Sequence, residues 1–230
     1  AWKNREKYNL DAYEVEEAVK IAKESKKFPV VLNDVGDNTG GGSSADSTFL
    51  LHEIVRQNVE NYCTVFFDPE SVSMCVDSGI GSTLKLRIGG KVDAQHGSPV
   101  ELEGKVINIT DGTWEDSQIR HGGYTKYNQG PTVLFETQNQ GSIILTTLRQ
   151  PPQSIGQITH IGIDPSKKKL ITTRGVILPR PAYDPFAAKT ILVNTKGTTT
   201  ADLKNLNFKN IKRDLYPLQN PSFSPGLNEV

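Results

Sequence analysis

The residues best suited to chemistry lie in one run, Asp34-Val35-Gly36-Asp37-Asn38-Thr39-Gly40-Gly41-Gly42-Ser43. Three successive glycines let a backbone approach a ligand closely, and a helix beginning just after them would aim unpaired N–H groups and a positive dipole end at the same spot. That arrangement favours an anion. Asp34 and Asp37, however, put two negative charges beside the loop, which suits chemistry next to a metal better than plain phosphate binding. A phosphate loop needs G-x-x-x-x-G-K-[ST], and Gly42 stands where the lysine must be, so the β- and γ-phosphate charge has no partner. The bland reading of the same run is a tight turn whose acids cap the following helix.

Elsewhere the signals are sparser. His52, His96, His121 and His160 are scattered and match no short metal-ligand spacing. His121, in Arg120-His121-Gly122-Gly123, lies in a glycine-flanked loop suited to a mobile role, and His52 reads as partly exposed. A nucleophile elbow, G-x-S-x-G, is absent, and Cys63 and Cys75 read as small core residues, which gives no support to serine or cysteine hydrolase chemistry. Arg149 follows an apolar run and so falls at a strand end, where open sheets place ligands. Arg180 is stiffened by Pro179 and Pro181. Either arginine could pair with a carboxylate, or form a surface salt bridge of little consequence. Trp2 and Trp114 read as packing or interface anchors.

The elements that must position these residues follow from periodicity. Ala12, Val15, Ala18, Val19 and Ala22 recur at helical spacing behind an Asp11/Glu14 capping box. Pro29–Asp34 reads as a short buried strand feeding the glycine run. A second helix is expected with Ser43 or Ser44 as its cap and Phe49, Leu50, Ile54 and Val55 inward. A strand at Thr64–Asp68 and a helix from Pro69 complete an α/β start. From about Gly79 the apolar runs at 84–88, 100–109, 132–135 and 143–148, punctuated by glycine pairs and Asp111-Gly112, predict consecutive strands and turns. A short helix near Ser154, strands at 170–173 and Lys189–Asn194, and a small helix after Thr199/Thr200 follow. The expected fold is α/β (α+β), a mixed sheet with flanking helices and a β-rich middle, as one domain over residues 1–218 with a loose tail over 219–230.

Composition excludes several classes. The chain has 230 residues, 26 Lys+Arg against 26 Asp+Glu, and zero formal net charge. Nucleic-acid-binding domains usually carry a visible basic excess, so a nucleic-acid partner is not expected. Mean hydropathy is −0.43, no run approaches the roughly 18 apolar residues of a spanning helix, and the first residues lack the apolar stretch of a signal peptide. With two cysteines and no disulfide framework, a reducing cytoplasm is the expected location. The chain does not begin with Met, which admits a piece of a longer protein.

The run Pro29–Thr48 resembles the signature that opens the C-terminal domain of the microcystinase C (MlrC) family of bacterial zinc metallopeptidases. Later stretches agree in order: Gly79-Ile80-Gly81, Leu84–Lys91, Gly97–Val100, Asp111-Gly112, Gly162–Pro165, Asn194–Leu203 and Tyr216-Pro217-Leu218. The resemblance covers about residues 12–218. It implies a hydrolase, a peptidase or amidohydrolase whose zinc ligands lie on a separate N-terminal domain outside this chain, so the isolated chain would be inactive and would hold no metal ligand itself. It also implies that Asp34, Asp37 or Asn38 lies near the reacting centre. Gly40, Gly41 and Gly42 would then offer backbone donors to an oxyanion or a carboxylate, and His121, Arg149 and Arg180 would touch a peptide or small amide substrate. Asp37→Asn is expected to cut turnover with little change in melting temperature. Relatives carry a histidine where this chain has Leu178. The alternative is a non-catalytic binding or assembly module that pairs through its β-rich middle with another copy, as a homo-oligomer, or with the N-terminal half.

Overall fold

The computed structural model describes residues 2–211 and 214–219. The expected tail over 219–230 therefore lies, apart from Gln219, outside the described residues. In chain order the elements are β1 (Tyr13–Glu14), α1 (Val15–Glu24), β2 (Val30–Asp34), α2 (Phe49–Arg56), β3 (Tyr62–Phe67), α3 (Pro69–Ser78), β4 (Thr83–Ile88), β5 (Val100–Thr110), β6 (Thr113–Glu115), β7 (Lys126–Asn128), β8 (Thr132–Thr137), β9 (Ser142–Thr146), α4 (Gly156–Thr159), β10 (Leu170–Arg174), α5 (Arg180–Tyr183) and β11 (Lys189–Asn194).

Nine strands form one mixed sheet in the order β1-β11-β2-β10-β3-β9-β8-β5-β4. The first six run parallel; β8, β5 and β4 continue the sheet as an antiparallel meander. Every residue of β2, β9 and β10 is buried, as strands covered on both faces must be, and this is why their apolar residues come consecutively, at Val30-Val31-Leu32, Ile143-Ile144-Leu145 and Leu170-Ile171, instead of alternating. Leu32, Phe66, Ile143 and Leu145 point to the face covered by α1, α2 and α3. Val31, Cys63, Ile144 and Ile171 point to the other, closed by Ile158, Ile161, Ile163, Ala182 and Tyr183. Burial pushes the Cys63 thiol up to about 12 and that of Cys75 to about 11, so both are core residues and inert.

The mixed α/β architecture, the β-rich middle and the late strands stand as expected; three local expectations do not. The cap of α1 is Glu14, with no side-chain bond, and no Asp11 box forms. The cap of α2 is Thr48, several residues beyond Ser43 and Ser44, because the Ala45 and Ser47 N–H groups bond the Asp37 carboxylate and Ala45 takes a positive φ, which keeps this stretch out of a helix. Of the expected inward stripe, Leu50 and Ile54 are buried, Phe49 is half-buried and Val55 is exposed, and Leu51 completes the buried face. Trp114 is a packing residue: its ring stacks on Tyr127 and His160, and its Nε1 donates to Ser154 Oγ at 3.1 Å.

Candidate functional site

The parallel strands β11, β2, β10, β3 and β9 deliver their carboxyl ends to one edge, and the loops that follow them meet there. At the end of β2, Asp34 Oδ1 accepts the Asp37 N–H at 3.1 Å and the Thr195 hydroxyl. Thr195 follows β11, and its Oγ1 also takes the Gly36 N–H at 2.8 Å. Here only glycine fits. A Cβ on Gly36 would lie 2.3 Å from the Lys196 carbonyl oxygen and 2.5 Å from that of Thr195.

Asp37 is fully buried and its carboxylate is saturated. Oδ1 accepts the Ala45 N–H at 2.8 Å, Oδ2 accepts the Ser47 N–H at 2.8 Å, and the Arg174 guanidinium pairs with Oδ2. Arg174 ends β10, donates from Nε to the Val65 carbonyl at 2.8 Å and from Nη1 to that of Ser47 at 3.2 Å, and lies 4.3 Å over the Phe66 ring. Burial raises the Asp37 carboxyl, but Arg174 and the bonds from Ser47, Ser43 and Ala45 outweigh it and hold the group below its ordinary value. Asp34, without a guanidinium of its own, is pushed up to about 6 by burial and by the Asp37 charge, against Arg174 and the Thr195 hydroxyl.

Above this buried cluster the loop turns outward. Asn38 caps a short 3-10 turn, Thr39–Gly41, its Oδ1 taking the Gly40 N–H at 3.1 Å. The Gly41 N–H donates to the Asn38 carbonyl at 2.8 Å and that of Gly42 to Thr39 at 3.1 Å, and Gly42 closes the turn at φ +90°. The three glycine N–H groups that the sequence reading offers to an oxyanion are thus engaged inside the turn. Gly40 through Gly42 remain exposed as a rim. Leu178, the residue at the family histidine's position, lies against this rim, its Cδ2 3.3 Å from a Cβ placed on Gly40.

Arg149, three residues beyond the end of β9, joins the same loop. Its Nε donates to the Ser44 carbonyl at 2.9 Å and its guanidinium stacks 3.9 Å over the Phe67 ring. It lines a small cavity with Thr39, Phe67, Gln150 and Arg174, and a larger one of about 480 Å³ with Thr39, Ser43, Asp93 and His96. The structure therefore brings together Asp34, Asp37, Asn38, Gly40, Gly41, Gly42 and Arg149. His121 and Arg180 are elsewhere: the first is exposed in the β6–β7 connection, and the second is bridged to Asp184 at 2.9 Å on α5. Sequence reasoning missed Arg174, although its place between an apolar strand and Gly175 is the same signal that singled out Arg149. It also missed His96, three residues from Asp93. Among the described residues, no group of three or more His, Cys, Asp and Glu side chains could hold a metal ion. No described helix is long and apolar enough to cross a membrane.

The profile of the MlrC C-terminus matches residues 32–210, most of the chain and the whole of the loop edge just described. The chain belongs to the MlrC C-terminus family. It is 26% identical over 157 residues to Microcystinase C from Sphingomonas sp., a match spanning 68% of this chain and 30% of that protein. The fold is also that of a Mesorhizobium sp. BNC1 protein assigned as a metallopeptidase, with a TM-score of 0.80 and 21% identity over 97% of this chain and 44% of the other. The chain thus spans less than half the length of either of these proteins.

Proposed function

We propose that this chain is the cleft-forming C-terminal domain of a metal-dependent peptidase or amidohydrolase of the cytoplasm, completed by an N-terminal domain that carries the metal ligands, zinc by family resemblance. The family match and the peptidase-like relatives support the class. Among the described residues no group of three or more His, Cys, Asp and Glu side chains could hold a metal ion, and the role we assign to this chain is recognition and positioning. One observation carries the reading: the buried Asp34–Asp37–Arg174 cluster rigidly presents an exposed glycine rim and Arg149 at the carboxyl edge of the parallel strands, the edge where open α/β sheets bind ligands.

In this role Asp34 and Asp37 are positioning residues. Both oxygens of Asp37 are spent on Ala45, Ser47 and Arg174, and Asp34 Oδ1 is spent on Thr195 and the Asp37 N–H. Arg149 is the residue that touches the substrate. With Nε fixed by Ser44 and its plane fixed by Phe67, the guanidinium is preorganised to pair with a carboxylate of a peptide or small amide. The assembly alternative is less favoured, because edge strand β4 exposes Lys85 and Arg87, charges that oppose edge-to-edge pairing.

In the full-length protein, Arg149→Met should raise KM for a substrate bearing a free carboxylate by on the order of 10–100-fold, the worth of a hydrogen-bonded ion pair, with kcat little changed. Steady-state kinetics on that substrate and its amidated form test this, and equal KM values for wild type and variant would remove Arg149 from recognition. Elemental analysis of this chain after dialysis should find less than stoichiometric zinc; one tightly held zinc per chain would overturn the placement of the ligands on the other domain.

A further inference from the structure

A second constellation opens onto the larger cavity, built from residues far apart in sequence. Ser43 Oγ lies 2.9 Å from His96 Nε2, and His96 Nδ1 lies 2.8 Å from Asp93 Oδ1. The tautomer follows from a third contact. The Thr198 N–H, which can only donate, points at Nε2 from 3.3 Å, so Nε2 is the acceptor nitrogen and the ring proton resides on Nδ1, facing the Asp93 carboxylate. That is the protonation pattern of a general base able to take a hydroxyl proton, oriented by an acid. Thr198 Oγ1 donates to Ser43 Oγ at 3.0 Å, so the serine proton has two acceptors within reach, His96 Nε2 at 2.9 Å and the Asp37 carboxylate.

The surroundings supply what an acyl transfer needs. Ser43, His96 and Asp93 line the same cavity of about 480 Å³ as Arg149 and Ser44. Ser44 is 6% exposed, and its Oγ has no hydrogen-bond partner, so an unspent hydroxyl donor stands one residue from Ser43 for an oxygen that gains charge. The left-handed turn at Gly42 sets Ser43 at a sharp bend of the chain, which is how a nucleophile is presented without a G-x-S-x-G sequence.

We propose that Ser43 is an acyl-accepting nucleophile, with His96 as its base and Asp93 as the orienting acid, acting on a carboxylic ester whose acyl part carries a negative charge that Arg149 pairs. Ser43 Oγ bonds to the acyl carbon as its proton passes to His96 Nε2. The ester C–O bond breaks, and the departing alkoxide takes that proton and leaves as the alcohol. Water then hydrolyses the acyl-serine by the same route in reverse, releasing the acid and restoring Ser43. This activity needs no metal and no second domain.

The test is phosphorylation of this chain by diisopropyl fluorophosphate in the presence of EDTA, read by intact mass and peptide mapping. Oγ–P forms, P–F breaks, and the proton goes through His96 to the fluoride. Wild type should take one adduct on Ser43, Ser43→Ala none, and Asp93→Asn should label at least tenfold more slowly. Asp93 is partly exposed, so this last variant probes the relay even if Ser43→Ala fails to fold. A folded wild type without an adduct on Ser43, or Asp93→Asn labelling at the wild-type rate, overturns the proposal. Because the readout excludes metal and substrate turnover, its result is independent of the cleft reading above.

Discussion

Replacing Arg174 with Met is expected to cost this chain about 3–5 kcal/mol, the loss seen when one partner of a buried ion pair is removed and the other stays charged. Arg174 is 8% exposed and Asp37 fully buried, so water cannot replace the guanidinium. The Val65 and Ser47 carbonyls lose donors in the same step. Set against a total stability of about 5–15 kcal/mol, the variant should be partly unfolded or melt roughly 10 °C lower. Urea unfolding measures it, and a loss under about 1 kcal/mol would mean that the pair does not hold the loop. Asp37→Asn should show a loss of similar size, since it takes from the buried arginine the carboxylate it is paired with. The sequence alone predicts an unaltered melting temperature for that variant; the burial of both partners reverses the expectation. The double variant Asp37→Leu with Arg174→Met should cost less than the sum of the two singles, because each single leaves one member of the pair without the other, and the double removes both.

The loop was legible in the sequence because its signal is local. Adjacent glycines and acids after an apolar run can be seen without knowing what they meet, and the buried strands announce themselves by continuous apolar residues. What those acids do was not legible, since the partners that decide it are remote: Arg174 is 137 positions from Asp37, and Thr195 is 161 from Asp34. The start of α2 failed for the same reason. Ser43 and Ser44 have the chemistry of caps, yet Asp37 draws the Ala45 and Ser47 N–H groups to itself and delays the helix to Phe49. Short-motif logic also rejected serine chemistry because the elbow pattern was missing. In the fold, Ser43 meets a histidine 53 positions away, a juxtaposition with no sequence spacing to detect. The MlrC resemblance succeeded where these failed because it compares ordered stretches along the whole chain, which carry the tertiary pairing implicitly.

The second large effect is a pH dependence set by Asp34. Its carboxyl is pushed up to about 6 in the folded protein by burial and the Asp37 charge, against a value near 4 in an unfolded chain. Between those values the folded state holds a proton that the unfolded state has released, so stability falls as pH rises through the window from about 4 to about 6. At about 1.4 kcal/mol per unit the group should cost about 3 kcal/mol at neutral pH relative to pH 4. Asp37 has the opposite sign: its lowered carboxyl contributes stability above about pH 4 and loses it below. The two opposed groups therefore place their joint optimum in mild acid. Asn at position 34 reproduces the neutral carboxyl, keeping an oxygen for the Asp37 N–H and the Thr195 hydroxyl while removing the ionisation. Asp34→Asn should match wild type near pH 4 and exceed it by up to about 3 kcal/mol at pH 7.5, so that the difference between their urea midpoints widens steadily across the window. Parallel curves for the two proteins would show that Asp34 titrates at its ordinary value and that the edge of the sheet carries a charge it does not need to suppress. A widening gap would mean that the loop is built at a standing cost in stability at neutral pH, a cost that a purely structural turn has no reason to retain and a ligand-facing one does.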